Sequence, residues 1–388
     1  MLELGLLLLG AKVLGELAER IHLPSILGYI AAGIILGPMH GIVHVSPEIT
    51  VFGQLGALLL LFVAGLKEIR LEDIMENRLG AISVSFLGYL FPFIAIVLVA
   101  SNISLVMPGI ELGFMGVLLL AAALSTSSII TTVKTLIDLN RLDTPGSRLL
   151  LGSSIIDSFI GLFVFTIVIT FATMSFANVP RVAGIIALTL AFFLIFYLAE
   201  RAIPKIIAES KFLEVEEAQF TLVFVVMLGL VYFAEALGLN GIIGAFFAGI
   251  IISKTQLRES VFYEKIASLT YGIFVPIFFA WVGLMVTPVL NEFVLLLVAA
   301  IAAANLIGAY AGSWLGNLKE GDALLVGIGM LPRGGIDLVI IAAAKSLGLL
   351  EGTTGDFVFS VVVSVVLITM VATPVLLHVL FNPKRQYS

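Results

Sequence analysis

Apolar segments of about 20 residues recur along the whole chain, and they constrain its fold more than any other feature. An α-helix of that length spans the hydrocarbon core of a bilayer, whereas a β-barrel would show short segments of alternating hydrophobicity. Charged residues make up only 12% of the 388 residues, so a soluble fold could not cover the apolar surface. The sequence therefore predicts an all-α polytopic membrane protein with about 13 transmembrane helices. We place them at residues 2–20, 24–42, 50–66, 81–101, 112–133, 149–173, 180–200, 218–237, 240–254, 268–286, 291–316, 322–347 and 356–381.

Lysine and arginine concentrate in alternate loops, which predicts the orientation. By the positive-inside rule, these loops face the cytoplasm, so the N-terminus lies outside the cell membrane and the C-terminus lies inside. We expect one transmembrane unit over 1–388 with no soluble regulatory domain. The chain has no cysteine, which excludes disulfides and thiolate metal sites. The cytoplasmic residues are Arg20, Lys67, Arg70, Arg78, Lys134, Arg141, Arg148, Arg201, Lys205, Lys211, Lys254, Arg258, Lys265, Lys319, Lys384 and Arg385.

Two stretches of the chain resemble each other at a constant offset of about 216 residues. Residues 23–35 resemble residues 239–251, and the same offset aligns Glu19 with Glu235. Seven segments separate the copies, so the second copy would run in the opposite direction through the membrane. The pattern predicts two inverted six-helix repeats, at about 1–173 and 218–381, joined by a linker helix at about 180–200. The alternative is a chance similarity between helices rich in small residues.

The fifth segment of each predicted repeat carries residues that break a helix. The first has a run of hydroxyl side chains at 125–128 in mid-membrane, and the second has the sequence Pro332-Arg333-Gly334-Gly335. Proline removes a backbone donor and glycine loosens the chain. Paired broken helices at equivalent positions favour a binding site near the middle of the bilayer.

Asp157 lies early in a long apolar segment, where a charged carboxylate is costly unless it is paired or hydrated. It is therefore a candidate functional residue. A carboxylate can hold either a cation or a proton, and alkali cations bind oxygen ligands. The predicted ion site is Asp157 with Ser158, Ser154, Thr126 and Ser127 as neutral oxygen donors. The alternative for Asp157 is a structural role as the cap of a broken helix.

Several pieces together resemble the monovalent cation:proton antiporters of the Kef and NapA type, over essentially the whole chain. The resemblance implies a core domain with two crossed broken helices beside a dimerisation domain, and hence a homodimer. It also implies exchange of Na⁺, Li⁺ or K⁺ for protons by an elevator-like motion. We expect no cofactor, no nucleic-acid partner and no enzymatic activity. The matching residues are 23–38, 59–66, 123–127, 133–136, 152–162, 234–249 and 332–334.

The chain departs from this family at three positions. Electrogenic members carry two adjacent aspartates in the sixth helix, whereas this chain has Asp157 followed by Ser158. They also carry a lysine in the eleventh helix, where Asn305 aligns, so we expect Asn305 to hydrogen-bond Asp157. Many relatives have a glutamate directly after the arginine–glycine pair, but here the acid is Asp337, two residues further on.

Four other residues are predicted to support the site. Arg333 is expected to tie its broken helix to a neighbouring acid, and Asp337 to pair with Arg333 or cap a helix end. Glu235 is expected to lie near a membrane face in an interfacial or structural role. Lys134 is interpreted as a positive-inside residue rather than a gating one.

Two other functions stay open at this point. Ser158 and Asn305 are compatible with a sensor or structural membrane protein on a degenerate antiporter fold. A cation-coupled symporter of organic solutes is the other alternative, but it would need a larger polar cavity.

Overall fold

A computed structural model describes most of the chain as α-helix. It describes residues 1–21, 23–68, 78–128, 132–133, 135–136, 139, 141, 144–173, 195–209, 217–236, 241–255 and 261–381. Lys134 and most of the predicted linker helix lie outside these residues. The helices are α1 (Leu2–Arg20), α2 (Ser25–Ile34), α3 (Pro47–Glu68), α4 (Arg78–Ser101), α5 (Phe114–Leu124), α6 (Pro145–Thr173), α7 (195–209), α8 (Ala218–Ala236), α9 (Gly241–Ser253), α10 (Val261–Leu269), α11 (Val275–Leu284), α12 (Glu292–Leu315), α13 (Glu320–Gly329), α14 (Ile336–Ser346) and α15 (Gly352–Phe381).

Seven helices in the described part of the chain are long and apolar enough to cross a membrane. They are α3, α4, α6, α8, α12, α15 and the helix formed by α10 and α11, which are joined by a π-helical turn at Thr270–Phe274. Three shorter apolar helices pack among them, at Ser25–Met39, Phe114–Leu124 and Gly241–Ser253. The chain is thus a multi-pass helical membrane protein, as predicted, while the total of 13 crossings stays a prediction.

The helices form two bundles. The first bundle contains α1–α3 and α8–α11, and the second contains α4–α6 and α12–α15. Among the described helices, each extensive backbone contact joins two members of the same bundle, while buried apolar side chains of both bundles meet in one core. The most extensive contacts are those of α4 with α12 in the second bundle and of α3 with α9 in the first. Each bundle therefore combines three segments from the first half of the chain with three from the second.

Helix contacts in the first bundle recur at the predicted offset. A Cβ added at Gly28 would lie 2.2 Å from the backbone oxygen of Leu14, and one at Gly244 would lie 2.3 Å from that of Leu230. Both contacts join two consecutive antiparallel helices, α1 with α2 and α8 with α9. Backbones approach this closely only where a side chain is missing, which is typical of helix packing in membranes. The two halves of the chain are thus alike in geometry here as well as in sequence.

The second bundle contains two broken helices. α5 ends at Leu124, and the chain is not helical at 125–128. The predicted segment 322–347 is divided into α13 and α14, with residues 330–335 between them. Pro332 cannot donate to a helical hydrogen bond, and Gly334 has a φ of +133°, which only glycine adopts readily. These residues end the helix where the sequence predicts a break.

Candidate functional site

Asp157 lies in α6 with its side chain 0% exposed, directly beside the break that follows α5. Its Oδ2 accepts a hydrogen bond from the backbone N–H of Ser127 at 2.7 Å and another from the Ser127 hydroxyl at 2.8 Å. Its Oδ1 is buried and has no hydrogen-bond partner among the described residues. Because an unpaired buried oxygen is costly, this atom marks a position where a cation or a proton would be stabilised.

The two breaks contact each other through their backbones. The N–H of Ser128 donates to the carbonyl oxygen of Pro332 at 2.7 Å. Nearby, the hydroxyl of Thr132 donates to the carbonyl oxygen of Gly329, at the end of α13, at 2.7 Å. The broken ends are held together by groups that a continuous helix would have paired internally.

Arg333 joins the two breaks where they contact each other, a place that we call the crossing, and it does so from the protein interior. Its side chain is 0% exposed, and Nη1 donates to the carbonyl oxygens of Ser125, at 3.2 Å, and of Thr126. The expectation that Arg333 ties its break to an acid is therefore corrected, since the guanidinium binds carbonyl oxygens of the opposite break. The physical reason is that the C-terminal end of α5 leaves these carbonyls without helical donors. In the part of the chain that the structure describes, Nε and Nη2 of Arg333 have no hydrogen-bond partner.

Asp337 caps the first turn of α14. Its two carboxylate oxygens accept from the backbone N–H groups of Gly334, at 2.5 Å, and Gly335, at 2.6 Å. Of the two predicted roles, the carboxylate takes the helix end and not the pair with Arg333. A carboxylate at a helix N-terminus satisfies free amides and is stabilised by them.

A cavity of about 230 Å³ leads from the junction of α1 and α2 to the neighbours of Asp157. It lies between the bundles, with Glu19, Ser25 and Tyr29 on the first bundle's side. On the second bundle's side it is lined by Ser127, Ser128, Ser154, Ser158 and residues 334–336. An ion that entered this cavity would meet hydroxyl oxygens next to the Asp157 carboxylate.

Not all of the predicted oxygen donors line this cavity. Ser127, Ser154 and Ser158 line it, whereas Thr126 is 1% exposed and lies behind it. The hydroxyl of Ser158 donates to the carbonyl of Ser154 at 2.9 Å, and that of Ser154 donates to Leu150 at 2.8 Å. Since each hydroxyl gives its hydrogen to the helix backbone, its lone pairs stay free to bind a cation.

Asn305 does not bind Asp157. Its Nδ2 donates to the carbonyl oxygen of Met330 at 3.1 Å, at the end of α13, and no described residue donates to its Oδ1. The predicted hydrogen bond to Asp157 is therefore wrong for this structure. The break after α13 leaves the Met330 carbonyl without a helical donor, and the amide group of Asn305 donates to it instead.

Glu235 lies away from Asp157, at the end of α8. A Cβ added at Gly241 would lie 2.5 Å from Glu235 Oε1, so the carboxylate covers the first residue of α9. Lys134 lies outside the described residues. Two contributors were not singled out from the sequence: Tyr29, on the cavity wall, and Thr369, whose Oγ1 accepts from the N–H of Arg333 at 3.1 Å. Thr369 could have been found as a hydroxyl residue in an apolar helix, but nothing in its spacing indicates a partner.

The comparisons with known proteins agree with this architecture. The chain is 32% identical to the Na⁺/H⁺-K⁺ antiporter GerN of Bacillus cereus, over 96% of this chain and 94% of that protein. It is 30% identical to a Na⁺/H⁺ antiporter of Enterococcus hirae, over 99% and 98%. Its fold matches the sodium proton antiporter MjNhaP1 of Methanocaldococcus jannaschii with a TM-score of 0.76 at 16% identity, over 98% of this chain and 97% of that one. The family model "Sodium/hydrogen exchanger, transmembrane" matches residues 5–382, and the chain belongs to this family of monovalent cation:proton antiporters.

Proposed function

We propose that this protein exchanges a monovalent cation for protons across the cell membrane, with Asp157 binding the two in turn. Na⁺ is the first candidate cation, and Li⁺ and K⁺ are the alternatives. The observation that carries the proposal is the environment of Asp157, whose buried Oδ1 lacks a partner beside a cavity lined by hydroxyl groups. The names of the relatives, which are Na⁺/H⁺ antiporters, support the same reading.

The chemistry follows from the cost of a buried charge. A carboxylate at 0% exposure is stabilised when a proton or a cation neutralises it, and one carboxylate has room for one of the two. A hard alkali ion would take Asp157 together with oxygens of Ser127, Ser154 and Ser158. Thr126 contributes through its position in the break rather than as a ligand on the cavity wall.

The charges around the crossing favour one-for-one exchange. Asp157, Arg333 and Asp337 are all buried there, so the ionised trio carries one net negative charge. One bound cation or one bound proton brings this sum to zero, and the two loaded forms are electrically equivalent. Exchange of one cation for one proton would move no net charge. Asn305, which is neutral where electrogenic members have a lysine, adds no further charge.

The two bundles provide the movement that exchange requires. We assign the second bundle, which holds the crossing and Asp157, as the moving core and the first bundle as the scaffold and dimer contact. Among the described helices, few backbone contacts join the bundles, and the boundary is packed by apolar side chains such as Phe159 against Phe246, which supports sliding of one bundle against the other. In this arrangement, 13 transmembrane helices place the N-terminus outside and the C-terminus in the cytoplasm. The cavity at Glu19 then opens to the cytoplasm, and the structure corresponds to an inward-open state.

A non-exchanging sensor is the second candidate, because Ser158 replaces the second aspartate and Asn305 the lysine. A symporter of organic solutes is disfavoured. The cavity wall presents hydroxyls and Glu19 in its described lining but no Lys or Arg that would bind an organic anion.

The test is ion exchange in proteoliposomes with a pH-sensitive dye. Purified wild-type protein should relax a pH gradient when Na⁺, Li⁺ or K⁺ is added, and the cation giving the lowest half-saturating concentration is the physiological candidate. Asp157→Asn should abolish this exchange. Asp356→Asn is the matched control, since Asp356 lies on the surface and binds only Lys345, at 2.7 Å.

Ser158→Asp restores a pair of aspartates and tests stoichiometry. It should make exchange sensitive to membrane potential, whereas wild-type exchange should be insensitive to it. Full activity in Asp157→Asn would contradict the proposed site. If correctly folded wild-type protein moves no protons in response to a cation, the sensor is favoured.

A further inference from the structure

A second cavity of about 220 Å³ lies between the same two bundles. From the first bundle it is lined by Gln54, Glu235, Gly241 and Trp281, among others, and from the second bundle by residues of α14 up to Leu347. It does not include Asp157 or the residues that bind it. The proposed ion site therefore does not use this cavity in the observed state.

The second cavity occupies the repeat-equivalent position of the first. Glu19, Ser25 and Ile26 line the first cavity, and the residues 216 positions later, Glu235, Gly241 and Ile242, line the second. In both places the glutamate covers the start of the following helix. The N–H of Ser25 donates to Glu19 Oε1 at 3.2 Å, and Glu235 Oε1 lies against Gly241.

The two cavities lie at different depths along shared helices. On α14, residues 334–336 at the start border the first cavity, while residues from Val339 to Leu347 border the second. An α-helix rises 1.5 Å per residue, so the two linings approach within about 4.5 Å along the helix, and the second extends roughly 16 Å beyond Ile336. On α3 the linings are also adjacent, because Leu60 borders the first cavity and Leu58 the second.

The second cavity also contains polar groups suited to a hydrated cation. Among the described residues of its lining, Glu235 is the one carboxylate, and Gln54 and Ser346 add neutral oxygens. The indole N–H of Trp281, a side chain 2% exposed in the same wall, has no acceptor within the described ranges of the chain. A buried N–H of this kind calls for an acceptor such as water, which a hydrated ion would bring.

We propose that the second cavity is the mouth of the cation pathway at the opposite membrane face, where Glu235 attracts a hydrated monovalent cation before it reaches Asp157. Glu19 does the same at the first mouth. The inference rests on the proposed exchange of cations for protons. It adds that each face has its own recruiting carboxylate, and that removing one affects uptake from one face alone.

Glu235→Gln and Glu19→Gln test this assignment as a matched pair. Glutamine keeps an oxygen that can cap the helix but loses the charge. We measure the half-saturating Na⁺ concentration of exchange in right-side-out and in everted membrane vesicles. Each substitution should raise the half-saturating Na⁺ concentration roughly fivefold when Na⁺ is supplied at one membrane face, and leave it unchanged at the other face. The affected face should be opposite for the two variants. The effect should shrink at high ionic strength.

Equal changes from both faces, or no change from either, would overturn the assignment. These outcomes differ from a failure of the proposed function, in which wild-type vesicles themselves would show no exchange.

Cysteine labelling tests the cavity independently of transport rate. Because the chain has no cysteine, Ala343→Cys in the second cavity and Ala64→Cys in the first each introduce a single thiol. A charged, membrane-impermeant thiol reagent should label the two variants from opposite faces of the vesicles. Labelling of both from the same face, or no labelling of Ala343→Cys from either face with or without Na⁺, would overturn the proposal.

Discussion

Ser127 binds Asp157 twice, with its backbone N–H at 2.7 Å and its hydroxyl at 2.8 Å, and both bonds end on the same carboxylate oxygen. The carboxylate of α6 is thereby oriented by the break that follows α5. One oxygen is committed to the protein, and the other is left for a proton or a cation. Substitution by any residue except proline keeps the backbone N–H bond, whereas alanine removes the hydroxyl bond.

Ser127→Ala should weaken cation binding without abolishing exchange. The variant keeps the backbone bond and loses a hydroxyl that both orients Asp157 and lines the cavity. A hydrogen bond to a charged group contributes about 1.5–3 kcal/mol, so the half-saturating Na⁺ concentration should rise about tenfold or more. Ser313→Ala is the control, since that hydroxyl binds only the Ala309 carbonyl in α12. Equal half-saturation in wild type and Ser127→Ala would argue against a ligand role.

Protons should compete with the cation for Asp157. Lowering the pH fills the carboxylate with protons, so the half-saturating Na⁺ concentration should rise as the pH falls, by about tenfold per pH unit on the acid limb when one proton competes with one cation. The maximal rate at saturating Na⁺ should change much less. Dye-based initial rates over a series of Na⁺ concentrations and pH values measure both quantities. A steeper dependence would mean that more than one proton is displaced.

Arg333→Lys should lower stability although the charge is kept. The guanidinium holds the carbonyls of Ser125 and Thr126, whereas an ammonium on a flexible chain cannot reproduce this fork. Losing a hydrogen bond to a charged group costs about 1.5–3 kcal/mol, which predicts a clear fall in melting temperature in detergent. The control is Lys254→Arg, which exchanges the same two residue types the other way round at an exposed site beside Glu200 and should leave the melting temperature unchanged. An unchanged melting temperature for Arg333→Lys would contradict the role of Arg333 as a fastener of the crossing.

Gly28→Ala and Gly244→Ala should be destabilising to a similar degree. In each, the added Cβ would lie within 2.3 Å of a backbone oxygen of the preceding helix, and over-packing of this kind costs about 1–3 kcal/mol. Gly5→Ala and Gly229→Ala are matched controls on α1 and α8, because no atom lies within 4 Å of the added Cβ. Thermal unfolding of the four variants measures the difference. A marked effect in only one of the pair would argue against equivalent packing in the two halves.

The sequence was informative wherever a property is local. The two breaks follow from Pro332, from Gly334 and from the hydroxyl run at 125–128, since each acts on its own stretch of helix. The candidate status of Asp157 also follows locally, from a carboxylate in an apolar segment.

The partners of the buried polar groups could not be predicted in the same way. Asn305 binds Met330 and Arg333 binds the opposite break, because the crossing frees carbonyls whose positions depend on how the helices pack. The cavities were also beyond the sequence, since both lie between bundles that combine distant parts of the chain.

The crossing has a further consequence in terms of helix dipoles. The C-terminal end of α5 carries partial negative charge, and the Arg333 guanidinium sits on its carbonyls. The N-terminal end of α14 carries partial positive charge, and the Asp337 carboxylate sits on its amides. Each of these two half-helix ends is thus matched by an opposite charge that belongs to the protein. An arriving ion therefore meets the end of α5 and the start of α14 with their dipoles already compensated, so we expect its affinity to be set by Asp157 and the surrounding hydroxyls rather than by these two ends.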